Sequence, residues 1–150
     1  MPATYRQAGA EWRAFLAEAR EEMGLVSDNS TYTAVQGVFR AFRARLTVQE
    51  ALDFAQVLPA VPRALFVADW RLDDPVLPPG GRDDWTRDAR GLRPDHNLTP
   101  EGCVEAVAVA LRRSVRAVDL DRALARLPPF ATAFWSTPSA DPASLGPRIV

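Results

Sequence analysis

Residues 127–135 read LPPFATAFW, and residues 58–66 read LPAVPRALF. Both open on Leu-Pro, carry Ala at the seventh place and end on a bulky apolar pair. One local pattern is therefore written twice, 69 residues apart. At that offset residues 30–66 lie over 99–135 without a gap. Val35 meets Val104, Val38 meets Val107, Ala41 meets Ala110 and Arg43 meets Arg112. Seven identities in 37 positions carry little weight in an Ala-rich chain, so the apolar pattern has to decide.

It decides for a duplicated helical unit. Ala34, Val35, Val38, Phe39, Phe42 and Leu46 form one helical stripe, matched by Cys103, Val104, Val107, Ala108, Leu111 and Val115. Ala51, Ala55 and Leu58 meet Leu120, Leu124 and Leu127, and then Val61 and Leu65 meet Phe130 and Phe134. Each place is apolar in both copies. Leu-Pro ends a helix because the residue before Pro is pushed out of the α region. Pro then suits the first turn of a short new helix, where its missing N–H goes unnoticed. The two stretches read as lids whose terminal aromatics fold back onto a hairpin.

Capping residues extend the reading. Ser30 and Thr99 are expected as N-caps of the long helices, with Pro100 at the first helical position and Leu98 stapled to Cys103. Thr47 with Glu50 forms a capping box for the next helix, whereas Arg116 stands where the second copy needs a cap. EWRAFLAEAREEMGL, residues 11–25, opens the first copy and ends on a Gly C-cap. DWTRDARGL, residues 84–92, repeats it six residues shorter. No sustained period-two alternation argues for a strand. The expected fold is all-α: two tandem copies of a helical-hairpin unit, three to four helices each, about a pseudo-twofold. The copies span about 10–70 and 82–137 of a single domain over 1–138. The Pro- and Gly-rich segment 71–81 connects them, and 139–150 reads as a flexible tail.

Composition bounds the function. A net charge of −1 supplies no field toward nucleic acid or an anionic membrane. All 18 cationic side chains are Arg. A single cysteine, Cys103, forbids an intrachain disulfide and points to an intracellular setting. The opening MPATYRQAGAEWRAF lacks an apolar signal core, and no run is long enough to span a membrane. A cytoplasmic protein is expected.

Two long-helix hairpins, each closed by Leu-Pro and an aromatic-tipped short helix, resemble the uncharacterised bacterial family called domain of unknown function 2267. The resemblance rests on AVQGVFRAFRARLTVQEALDFAQVLPAVPRALF, CVEAVAVALRRSVRAVDLDRALARLPPFATAFW and EWRAFLAEAREEMGL, and covers roughly residues 10–137. It implies an all-helical bacterial domain without an established activity. The longer connector and the short helix at 84–91 depart from the family pattern.

Candidate sites are few. His96, the only histidine, could ligate a metal with Asp95 and one of Asp73, Asp74, Asp83 or Asp84. No recognised ligand spacing joins them, so a loop and helix-start reading is preferred. Cys103 sits on the buried stripe and reads as a core residue. Arg43 and Arg112, with Glu50 and Asp119, are the polar pairs kept in both copies. They suggest a salt bridge or cap across each helix corner, or a paired-arginine anion site across the pseudo-twofold. The Arg-rich run over 111–126 reads as a solvated helix face. Trp70 and Trp135 are the tryptophans most expected at a partner surface. No phosphate loop, nucleophile elbow or Cys pair is present.

The sequence thus favours a non-catalytic interaction module with no cofactor, metal, nucleic acid or membrane, binding a protein partner or itself through its helical surface or its Trp-lined edges; the candidate binding residues are Trp70 and Trp135, with Arg43 and Arg112 for the anion reading. The alternative is a small-anion or metal-binding domain using the inter-repeat groove or the Asp-rich 71–98 segment.

Overall fold

The turn between residues 44 and 47 shows how local chemistry sets the helix boundaries. The Thr47 side chain accepts the Glu50 N–H while the Glu50 carboxylate accepts the Thr47 N–H, closing the expected capping box. A computed structural model describes residues 1–93 and 98–147. In that range the chain is all-helical and has no strand. The helices are α1 (Ala3–Arg6), α2 (Ala8–Met23), α3 (Asp28–Arg43), α4 (Val48–Ala55), α5 (Ala60–Val67), α6 (Arg82–Arg90), α7 (Cys103–Ser114), α8 (Ala117–Ala125) and α9 (Phe130–Phe134). A 3₁₀ turn follows at Pro142–Ser144. No helix among the described residues is long and apolar enough to cross a membrane.

Several boundaries follow the expected signals. Gly24 ends α2 in the left-handed conformation at φ 66°, which a glycine adopts without a Cβ penalty. Pro59 and Pro129 stand immediately before α5 and α9, and Arg116 supplies no side-chain cap to α8. Two caps are corrected. Ser27, not Ser30, caps α3, because its hydroxyl accepts the Ser30 N–H and lets the helix start a turn earlier. Thr99 does not cap α7, which starts after Gly102, and Leu98 is exposed rather than stapled. Pro100 lies in the turn that precedes the helix, where its carbonyl accepts the Cys103 N–H.

The long helices α3 and α7 form the centre. α2 packs on α7 and α3, while α6 packs on α3 and α7. The α3–α6 crossing is a backbone contact: a Cβ on Gly37 would lie 2.3 Å from the Ala89 carbonyl oxygen. Phe42 of α3 is the hub of an aromatic core. Its ring centroid lies 4.8 Å from Phe54 and Phe134, 5.4 Å from Trp135 and 5.8 Å from Phe130. These rings come from α4, α9 and the α9 end, and Phe66 of α5 lies 6.4 Å from the same ring, so both lids close on one core.

The tail differs from expectation over its described part. The Ser139 N–H donates to the Glu105 carboxylate and the Gly146 N–H to the Arg112 carbonyl, which ties residues 139–146 along α7. The connector is also anchored: the Leu77 N–H donates to the Ala44 carbonyl, and the Trp85 indole N–H to the Pro79 carbonyl.

Candidate functional site

Arg43 lies in the last turn of α3 and is 8% exposed. Its Nη1 donates to the Phe66 carbonyl at 3.0 Å and the Ala68 carbonyl at 2.8 Å, closing the end of α5. Helix ends leave their last carbonyls without intrahelical partners, and a guanidinium can satisfy two of them at once. Arg112 repeats the device: its Nε donates to the Trp135 carbonyl at 2.8 Å, and its Nη1 pairs with Asp121 at 3.3 Å. The expected bridges from Arg43 to Glu50 and from Arg112 to Asp119 are therefore corrected. Glu50 is used in its capping box, and each arginine reaches the closing helix of its own segment.

A pocket of about 280 Å³ opens beside Arg43, lined by Arg40, Arg43, Asp69, Trp70, Arg71 and Asp74 together with apolar residues. The Arg43 guanidinium stands 5.5 Å from the centroid of the Trp70 ring, a cation–π arrangement that fixes both groups. Arg40 pairs with Asp69 at 3.2 Å, and Arg71 with Asp73 at 3.4 Å. Asp69 is held at φ 55°, an uncommon left-handed conformation for a residue other than glycine. Burial first, and the neighbouring Arg40 charge next, hold the Arg43 pKa below the ordinary guanidinium value. The structure thus brings Arg43 together with Trp70, singled out separately in the sequence, and Arg112 does not line this pocket.

Trp135 is corrected. It is fully buried, stacked on Phe54 with centroids 5.4 Å apart, and presents no face to a partner. Its position closing the second lid makes it a core ring. The Arg-rich run is corrected in part as well. Arg113 turns inward to Glu18 at 2.6 Å and Glu22 at 3.1 Å, joining α7 to α2. Burial opposes the charge on Arg113, but the two carboxylates outweigh it and raise its pKa.

A second groove of about 470 Å³ runs between α4 and α8, lined by Asp53, Gln56, Val57, Asp119, Arg122 and Arg126 among others. It is the counterpart of the expected inter-repeat groove. Its acids and bases alternate, so it concentrates no single charge.

His96 and Asp95 lie outside the described residues, so their metal reading has no geometry here. Among the described residues no three His, Cys, Asp or Glu side chains gather as a metal site. Asp84 instead accepts the Gly81 N–H at 2.8 Å, a helix-start contact that holds its carboxyl below the ordinary range. Cys103 is buried in the core, and burial pushes its thiol up to about 11.

Sequence reasoning missed Arg45, Arg63 and Arg82. Arg45 joins α3 to α6 through Asp88 at 2.6 Å. Arg63 closes the end of α4 on the Ala55 and Leu58 carbonyls. Arg82 reaches the Ala133 carbonyl. Their partners lie 5 to 51 residues away, at separations that leave no periodic trace in the sequence.

These elements define an all-helical domain with two aromatic lids held by arginines and one arginine–tryptophan pocket at its edge. The family model for an uncharacterized conserved protein, DUF2267, matches residues 12–134, and the chain belongs to that family. No curated protein matches the chain.

Proposed function

We propose that the chain is a non-catalytic helical interaction module that binds a protein partner through the rim of the Trp70 pocket. The observation that carries this reading is the set of exposed apolar side chains along residues 67–77. Leu72 is 72% exposed, Val76 57%, Leu77 39% and Val67 36%. One such residue would need no explanation, but four within eleven residues beside Trp70 form a patch. Tryptophan and arginine are also the side chains most enriched where binding energy concentrates. Arg43 fixes the Trp70 ring in advance, so less side-chain freedom is lost on docking.

In this reading the module consists of two copies of one helical unit about a pseudo-twofold axis. Support comes from Arg43 reaching the Phe66 carbonyl and Arg112 reaching the Trp135 carbonyl, both across 23 residues of sequence. Further support is the reciprocal packing of α2 on α7 and α3 on α6. Each contact carries an arginine near the end of the long helix paired to an acid on the other copy's first helix. These are Arg45 with Asp88 and Arg113 with Glu18. The free Cys103 thiol agrees with a reducing, cytoplasmic setting.

A small-anion ligand is the second reading, supported by the three guanidinium groups that line the same pocket.

The test is a photoreactive amino acid placed at Leu72 in the cells that make the protein, with Glu21 on α2 as the control position. The expected result is a discrete protein adduct from position 72 that is absent from position 21. No adduct at 72, or the same adducts at both positions, would contradict the reading.

A further inference from the structure

We infer that the Trp70 pocket receives a carboxylate, presented by an acidic side chain of the partner. The inference rests on the Trp70 rim being the contact surface and adds the chemistry of the group that enters it. Three arginines line the pocket against two aspartates, Asp69 and Asp74, so the lining carries an excess of one positive charge. Arg40 and Arg43 are one helical turn apart on α3, and both line the pocket.

The donors to meet an oxyanion are present. Arg43 spends only Nη1 on the α5 carbonyls, and its Nε and Nη2 make no hydrogen bond among the described residues. Fixed planar guanidinium groups suit the two oxygens of a carboxylate. The resident acids do not block it. The Asp69 side chain is 81% exposed and its pair with Arg40 is a surface ion pair, the weak kind that an incoming anion replaces. Arg71, 73% exposed and paired only with the equally exposed Asp73, is free to swing over the group once it has entered. A volume of about 280 Å³ admits one acidic side chain and its stem, while Leu72 and Val76 remain at the rim for the apolar neighbours.

The probes are N-acetyl-glutamic acid α-amide, its neutral glutamine counterpart and inorganic phosphate. Each is titrated into the full chain while the arginine Nε–H and tryptophan indole signals are followed by nuclear magnetic resonance. The glutamic probe is expected to shift Arg43 and Trp70 saturably, and the glutamine probe to leave them in place. Arg71→Ala and Arg40→Gln should each weaken the glutamic probe by about tenfold, the loss of one charge-assisted contact. Arg71 is exposed, so its variant keeps the fold, which an unchanged amide spectrum checks. Equal shifts from both amides, or no saturable shift from the glutamic probe, would overturn the inference. So would tighter binding of phosphate than of the glutamic probe, which would assign the pocket to phosphate groups. The probes need no partner, so a failed titration beside a positive cross-link at position 72 rejects the carboxylate and leaves the contact surface intact.

Discussion

Arg43 and Arg112 occupy the same place in the sequence pattern but carry unequal burdens. Arg43 is buried and satisfies two carbonyls, whereas Arg112, its side chain 15% exposed, satisfies one while sharing its charge with exposed Asp121. Truncation leaves each carbonyl without its donor and removes the packed stem of the side chain. Arg43→Ala is therefore expected to cost about 2–4 kcal/mol and Arg112→Ala about 1–2 kcal/mol, measured by urea unfolding. Equal losses, or a larger loss at Arg112, would contradict this assignment of the carbonyl contacts. The geometry also gives a physical use for arginine at these positions. Both Arg43 carbonyl contacts come from Nη1 while its planar guanidinium stands over the Trp70 ring, a combination that the compact ammonium of lysine does not offer.

At the scale of elements, the α3–α6 crossing depends on the missing side chain of Gly37. Alanine favours a helix by about 1 kcal/mol over glycine, but its Cβ would meet the Ala89 carbonyl at 2.3 Å. That contact is with backbone, so α6 itself must move. Gly37→Ala is expected to destabilise the chain by a net of about 1–3 kcal/mol in urea unfolding, and a stabilised variant would show that α6 does not seat on α3. The helices themselves were legible because their determinants are local. Apolar spacing marked α3 and α7, Thr47 with Glu50 marked the start of α4, and Leu-Pro marked both corners. What escaped was set by tertiary contacts. Ser30 is a good capping residue, yet Ser27 captured the cap when the helix gained another turn. Trp135 looks like a surface tryptophan by its place at a lid tip, yet it is core because Phe39, Phe42 and Phe54 surround it. The pocket was half legible: Arg43 and Trp70 were singled out separately, and their pairing required α5 to bring Trp70 back over the end of α3.

For the whole molecule, the first and second halves share one core rather than standing side by side. Phe42 packs on Phe66 and Phe134, one ring from each lid, α2 lies on α7, and Arg45–Asp88 and Arg113–Glu18 tie the halves on either flank. A half removed from the other would expose the faces of α3 and α7 together, an apolar loss that no contact within one half replaces. Of residues 67–77, Trp70 packs against this shared core, while Val67, Leu72, Val76 and Leu77 are exposed. Native-state hydrogen exchange over increasing urea tests the shared core most directly. The slowest amides of α3 and α7 are expected to open with the same free energy and the same urea dependence, both equal to those of global unfolding. Exchange of α7 at a lower free energy than α3, with a smaller urea dependence, would mean that the second half opens alone and that the two halves do not form one cooperative core.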